Sequence, residues 1–179
     1  RLTKEIRKVR ALTDRPFAVN YIFPMGGASE DPFTNAVFEV LVKEDVTNVI
    51  AIGQNVVERE MKRLKEHNIR VIYRDLSPTV ERLVEAEKAG VDALIVTGYE
   101  AGGHMNDHKI STLSLVPQIT ASVKVPVIAA GGIIDGRGAK AAFAMGAEGV
   151  YMGTRFIATE ENPASIETKK ALIDVKSED

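Results

Sequence analysis

Apolar residues in this chain come in short runs, separated by stretches with a different rhythm. Six runs stand out: Phe17-Ala18-Val19-Asn20-Tyr21, Asn48-Val49-Ile50-Ala51-Ile52, Arg70-Val71-Ile72-Tyr73, Ala93-Leu94-Ile95-Val96-Thr97, Pro126-Val127-Ile128-Ala129-Ala130 and Gly149-Val150-Tyr151-Met152. Each is rich in β-branched residues and nearly continuous in its hydrophobicity, the pattern of parallel strands covered on both faces. Between them the spacing changes to three and four. Leu2, Ile6, Val9 and Leu12 share one helical face. So do Val37, Phe38, Leu41 and Val42; Val57, Met61 and Leu64; Val80, Leu83, Val84 and Glu87; and Ala139, Ala142, Phe143 and Met145. Gly90 and Gly146 stand where two of these helices must stop, and a glycine there can take φ > 0 and turn the chain into the next strand.

The predicted order alternates helix and strand throughout, with a helix at each end. Strands start about every 22 to 33 residues, the length of one βα unit. Two architectures answer to this: an open doubly wound sheet, or part of a (βα)8 barrel. Six strands are too few for a whole barrel, which favours the open sheet. The glycines point the other way. The first strand lacks a Gly-x-Gly-x-x-Gly turn, and glycine clusters instead follow the last three strands, as they would on the ligand-binding face of a barrel.

Composition narrows the function classes. Of 179 residues, 45% are apolar and 27% charged, as in a globular domain, and Lys and Arg (23) nearly balance Asp and Glu (25) at a net charge of −2. No positive field exists to grip a polyanion, so nucleic acid is not an expected partner. There is no cysteine, hence no disulfide, thiolate nucleophile or Cys-ligated metal. No apolar run is long enough for a membrane helix, no signal-peptide pattern is read within the sequence, and the first residue, Arg1, is not a Met, so a clipped sequence is expected. A cytoplasmic protein acting on a small molecule is expected.

Three glycine-bearing segments could carry chemistry. In Thr97-Gly98-Tyr99-Glu100-Ala101-Gly102-Gly103-His104, the paired glycines allow backbone to approach a ligand, and the histidine can exchange a proton near neutral pH. In Ala129-Ala130-Gly131-Gly132-Ile133-Ile134-Asp135-Gly136, a strand, a diglycine and a helix start make an anion site, with Asp135 as the cap. No Gly-Lys-Ser/Thr follows, so this is not a Walker loop. The third is Met152-Gly153-Thr154-Arg155-Phe156, which ends the last strand. If the last two strands are neighbours in a barrel, their turns can share one phosphate. Arg74, ending the third strand, could face an anion, and Asn20 is a polar residue inside an apolar run. His104 and His108 have the i, i+4 spacing of zinc sites but lack the Glu of His-Glu-x-x-His, so no metal is expected. His67 should end a helix. No lysine in the last three strands can form a Schiff base. Pro24 to Pro32 reads as either a lid or a surface loop.

Taken together, Gly98 to His104, Leu115-Val116-Pro117-Gln118, Pro126 to Gly138 and Gly146 to Phe156 closely resemble the nitronate monooxygenase family, formerly 2-nitropropane dioxygenase, which includes the flavin-dependent enoyl-acyl-carrier-protein reductase of the FabK type. The resemblance implies an α/β TIM barrel binding FMN without a covalent link. It assigns the flavin phosphate to Gly131, Gly132, Gly153 and Thr154, the approach to the ring to Gly102 and Gly103, further cofactor contacts to Asn20 and Arg74, and the catalytic role to His104. The family usually has His-x-Gly after the diglycine, whereas this chain has His104-Met105-Asn106-Asp107. By that pattern Phe17 to Tyr21 would be strand three. The expectation is therefore an incomplete barrel of strands three to eight, one partial domain over 1–179, with a homo-oligomer or a complementing chain covering its open side. The implied reaction oxidises alkyl nitronates to a carbonyl compound and nitrite. An NAD(P)H-dependent enoyl reductase is the alternative, a non-catalytic barrel fragment a third reading, and a sugar-phosphate or nucleotide barrel a fourth.

Overall fold

The computed structural model describes residues 1–24, 31–103 and 107–176. The segment Met25–Glu30 in the Pro24 to Pro32 loop, and His104, Met105 and Asn106, lie outside the described residues. Helix α1 (Leu2–Leu12) leads into strand β1 (Val19–Ile22). Then follow α2 (Pro32–Lys43), β2 (Asn48–Gly53), α3 (Glu58–Glu66), β3 (Arg70–Asp75), α4 (Val80–Lys88), β4 (Ala93–Thr97), α5 (Thr112–Thr120), β5 (Val127–Ala130), α6 (Gly136–Ala144), β6 (Gly149–Tyr151), a short α7 (Thr154–Ile157) and α8 (Ile166–Asp174).

All six strands are parallel and lie side by side in chain order. This separates the two architectures left open by the periodicity. A doubly wound sheet reverses its strand order at a switch point, whereas here every connection advances by one strand in one direction, as in a (βα) barrel. The burial alternation agrees. Val19, Tyr21, Val49, Ala51, Val71 and Tyr73 are buried. The residues between them, Asn20, Ile22, Ile50, Ile52, Ile72 and Arg74, are exposed or half-buried. With a side-chain period of two, one face of the sheet is packed under the helices and the other is the inner wall of an arc. Along that wall the register sets Ile22, Ile52, Arg74, Ile95 and Ile128 in one row.

The helix stops and starts have local causes. Gly90 (φ 89°) and Gly146 (φ 91°) both take the left-handed conformation just past α4 and α6, as expected from their positions. Asp31 accepts from the N–H groups of Phe33 and Thr34 ahead of Pro32, Thr79 caps α4, Ser111 caps α5, Asp135 caps α6 and Ser165 caps α8. His67 is the C-cap of α3, its ring edge-on to Phe38 at 5.0 Å. Strand β1 begins two residues later than the apolar run because Phe17 packs against the core without joining the ladder. The last strand is followed by two helices rather than one.

Under the helix layer, an aromatic column runs through the core. Phe23 lies 6.0 Å from both Tyr21 and Tyr73, edge-on to the first and stacked on the second. The hydroxyl of Tyr21 donates to the buried carboxylate of Glu60 on α3. Burial, reinforced by Glu60, holds the Tyr21 phenol well above its ordinary pKa, so it stays protonated and keeps that bond. Tyr73 is raised in the same way, by burial first and then by Asp75.

Candidate functional site

A cleft of about 620 Å³ opens at the C-terminal ends of β3 to β6. Its floor is backbone: Gly102 and Gly103 after β4, Gly131 and Gly132 after β5, and Gly153 and Thr154 after β6. Ile133, Ile134, Ile157 and Leu172 form an apolar wall, the last from α8. The three glycine segments, separate in the chain, thus converge on one space at the face where barrel proteins place their ligands.

Close approach explains the glycines. A Cβ on Gly102 would stand 2.9 Å from Thr154 Oγ1, so the turn after β4 lies directly against the turn after β6. Gly131 (φ 96°) and Gly132 (φ 69°) are both left-handed, and a Cβ on Gly131 would meet Gly98 O and Thr112 Oγ1 at 2.9 Å each. Among the described residues no protein acceptor takes the N–H of Gly131, Gly132 or Gly153. Asp135 accepts from the N–H groups of Arg137 and Gly138 and opens α6 beside the diglycine, as its position in the sequence implied.

Arg74 reaches this cleft from β3. Its Nε donates to Thr97 Oγ1 at 3.2 Å, which bends the side chain from the inner wall toward the strand ends. Asn20 does not join the set. It is exposed on the inner face of β1, two strands away from Arg74, and is not part of the cleft lining. His104 lies outside the described residues. On the far flank of that segment, Ser77 donates to Asp107 Oδ2 at 2.6 Å, fastening the chain to the turn after β3. His108 is exposed.

Two residues that the sequence reading gave no role hold the turns in place. Glu100 Oε2 accepts from the Thr112 N–H at 2.8 Å, and its side chain packs against Gly132, whose Cβ would come within 3.2 Å of it. Thr112 is buried, with its hydroxyl 3.1 Å from Ala130 O and 2.9 Å from Gly131 O. Nothing local in the sequence marks either residue. Their roles depend on α5 meeting the β5 turn 18 residues further along.

Six parallel strands in chain order, helices over one face and an amide-lined cleft at the strand ends define the (βα)-barrel class. The sequence profile of nitronate monooxygenase matches residues 1–179, and the chain belongs to that family of oxidoreductases. A probable nitronate monooxygenase of Staphylococcus aureus (strain JH9) is 34% identical over 219 aligned positions, covering 99% of this chain and 60% of the relative. One from Staphylococcus saprophyticus is also 34% identical, covering 100% and 61%. Among solved structures, FabK from Thermotoga maritima superimposes with a TM-score of 0.85 at 38% identity, covering 98% of this chain and 53% of that one. The nitroalkane oxidase of Streptomyces ansochromogenes does so at 0.83 and 30%, covering 96% and 59%. The chain spans about three-fifths of the length of the curated relatives it matches.

Proposed function

We propose that the cleft takes the phosphate end of FMN, and that the whole protein is an FMN-dependent oxidoreductase converting alkyl nitronates or nitroalkanes to a carbonyl compound and nitrite. One observation carries this reading: Gly131, Gly132 and Gly153, whose N–H groups have no protein acceptor among the described residues, line the same cleft as the diglycine after β4. Converging amides suit a dianion, and low steric bulk suits a flat ring lying on backbone. The site fits the group on its own terms. Its volume lies within the range of small-molecule pockets. At Gly103 and Gly153, both in the cleft lining, a Cβ would meet no described protein atom within 4 Å, so these glycines border open space.

In this reading Gly131, Gly132, Gly153 and Thr154 hold the phosphate, with Thr154 adding a hydroxyl. Gly102 and Gly103 lie against the ring. Arg74, tethered by Thr97, adds positive charge on the β3 side, where it would favour an anionic ligand. Bound FMN supplies the redox chemistry. His104, following directly on the diglycine, orients the substrate or takes its α-proton.

The likeness to FabK at 38% identity supports a second reading, in which NAD(P)H is the electron donor and an enoyl thioester the acceptor. The two separate in one experiment. The full-length protein, purified with FMN, is assayed for anaerobic flavin reduction by NAD(P)H and for turnover of propionate 3-nitronate. Nitronate turnover without NAD(P)H oxidation is expected. Flavin reduction by NAD(P)H without nitronate turnover selects the reductase. A colourless protein that gains no flavin spectrum when FMN is added overturns both.

A further inference from the structure

We infer that Thr112 is a positioning residue, aligning the amides of the β5 turn for an anionic ligand, with Glu100 holding Thr112 in turn. This rests on the proposed phosphate site and adds to it the device that shapes it.

In a planar trans peptide the C=O of one residue and the N–H of the next point in opposite directions. The chain has no cis peptide among its described residues. Whatever holds the Gly131 carbonyl therefore directs the Gly132 N–H the other way, and whatever holds the Ala130 carbonyl directs the Gly131 N–H. The Ala130 carbonyl accepts from the Gly98 N–H at 3.0 Å, so it is held without help from a side chain. The Gly131 carbonyl has no backbone donor among the described residues, and its partner is the Thr112 hydroxyl at 2.9 Å. A hydroxyl has one proton to give. The other acceptors near it, Ala130 O and Glu100 Oε2, are already served by the N–H groups of Gly98 and Thr112. The Gly131 carbonyl is the acceptor that depends on that proton.

Thr112 lies behind the turn, outside the cleft lining, so a carbonyl drawn toward it sends the Gly132 N–H into the cleft. The hydroxyl has little freedom to do otherwise. Thr112 is 7% exposed and Gly98 lies so close that a Cβ there would come within 2.1 Å of Oγ1. Glu100 fixes the main chain of the same residue, as an acidic cap on the first N–H of α5, where negative charge is favourable.

The test compares wild type, Thr112→Val, Thr112→Ser and Thr112→Ala in the full-length protein, each first checked for an unchanged melting transition. Flavin fluorescence quenching gives the affinities for FMN and for riboflavin, which lacks the phosphate. Thr112→Val is expected to weaken FMN by about tenfold, the loss of one hydrogen bond, while riboflavin is unaffected and Thr112→Ser restores FMN. Thr112→Ala, which cannot crowd the carbonyl, should repeat the valine result if the valine variant fails to fold. A merely structural role would lower both affinities together. Amide spectra of Gly131 and Gly132 supply an arm that needs no flavin: their resonances should move in Thr112→Ala and return in Thr112→Ser. Unchanged FMN affinity with unmoved glycine amides overturns the inference. If wild type binds no FMN, the proposed function fails, and the amide spectra alone decide the positioning role.

Discussion

Gly98 has no room for a side chain. Its Cβ would lie 2.1 Å from Thr112 Oγ1, 2.3 Å from Thr112 N and 2.6 Å from Thr112 Cα, and two of those atoms are backbone that cannot rotate aside. Gly98→Ala must push β4 and α5 apart at the point where the cleft is assembled. It is expected to cost at least about 2 kcal/mol in chemical denaturation and to abolish FMN binding. Gly153, with nothing within 4 Å of a built Cβ, offers the contrast. Gly153→Ala should leave folding stability nearly unchanged while lowering affinity for FMN, so equilibrium unfolding and flavin titration together separate packing from ligand contact. Glycine at both positions was legible as a feature of the sequence. That Thr112 leaves no room at Gly98 while no described neighbour crowds Gly153 was not, because Thr112 is 14 residues from Gly98 and meets it only through the crossing of β4 and α5.

The helices and strands are tied to each other by carboxylates at both ends of the sheet. Glu87 near the end of α4 accepts from the N–H groups of Lys124 and Val125, just before β5. Glu44 takes a two-pronged bond from Arg7, linking α1 to the end of α2. Asp31 and Asp135 cap α2 and α6. All four carboxyls are held below their ordinary range: Glu44 and Asp135 chiefly by the side-chain bond from an arginine, Asp31 by Thr34, and Glu87 by two backbone amides. A carboxyl with a lowered folded-state pKa adds stability that is complete above the usual carboxylate range of about 4 and is lost as pH falls through the folded values. The melting temperature should therefore hold steady from neutral pH down to that range and drop below it. Glu87→Gln should flatten part of that drop, as followed by thermal denaturation across pH. The apolar periodicities disclosed five of the helices directly. Helix α5 runs through Pro117 and its buried positions Thr112, Leu115, Val116 and Ile119 keep the spacing of three and four, but only three of them are apolar and a proline falls among them, so the stretch does not stand out as a helix in the sequence. Its existence was implied only by the need to cross from one parallel strand to the next.

Across the whole arc, one face is closed by helices and the other is the wall of the barrel interior, and neighbouring residues on one strand report the difference. Tyr21 is fully buried, packs on Phe23 and bonds to Glu60, whereas Ile22 beside it is 41% exposed on the inner wall. In the 179-residue chain, Tyr21→Ala is expected to cost about 3–5 kcal/mol, and Ile22→Ala less than about 1 kcal/mol, both measured by equilibrium unfolding. A reversed order would place the helices on the wrong face. Sequence alone settled the βα alternation, the strand positions to within a residue or two, the helix-ending glycines and the family, because all of these are local periodicities or contiguous motifs. The strand order, the joining of three glycine turns into one cleft, the separation of Asn20 from that cleft and the service of Glu100 and Thr112 behind it were decided by tertiary structure. Each of these depends on which distant backbones come within van der Waals reach, and no pattern along a single segment encodes that distance.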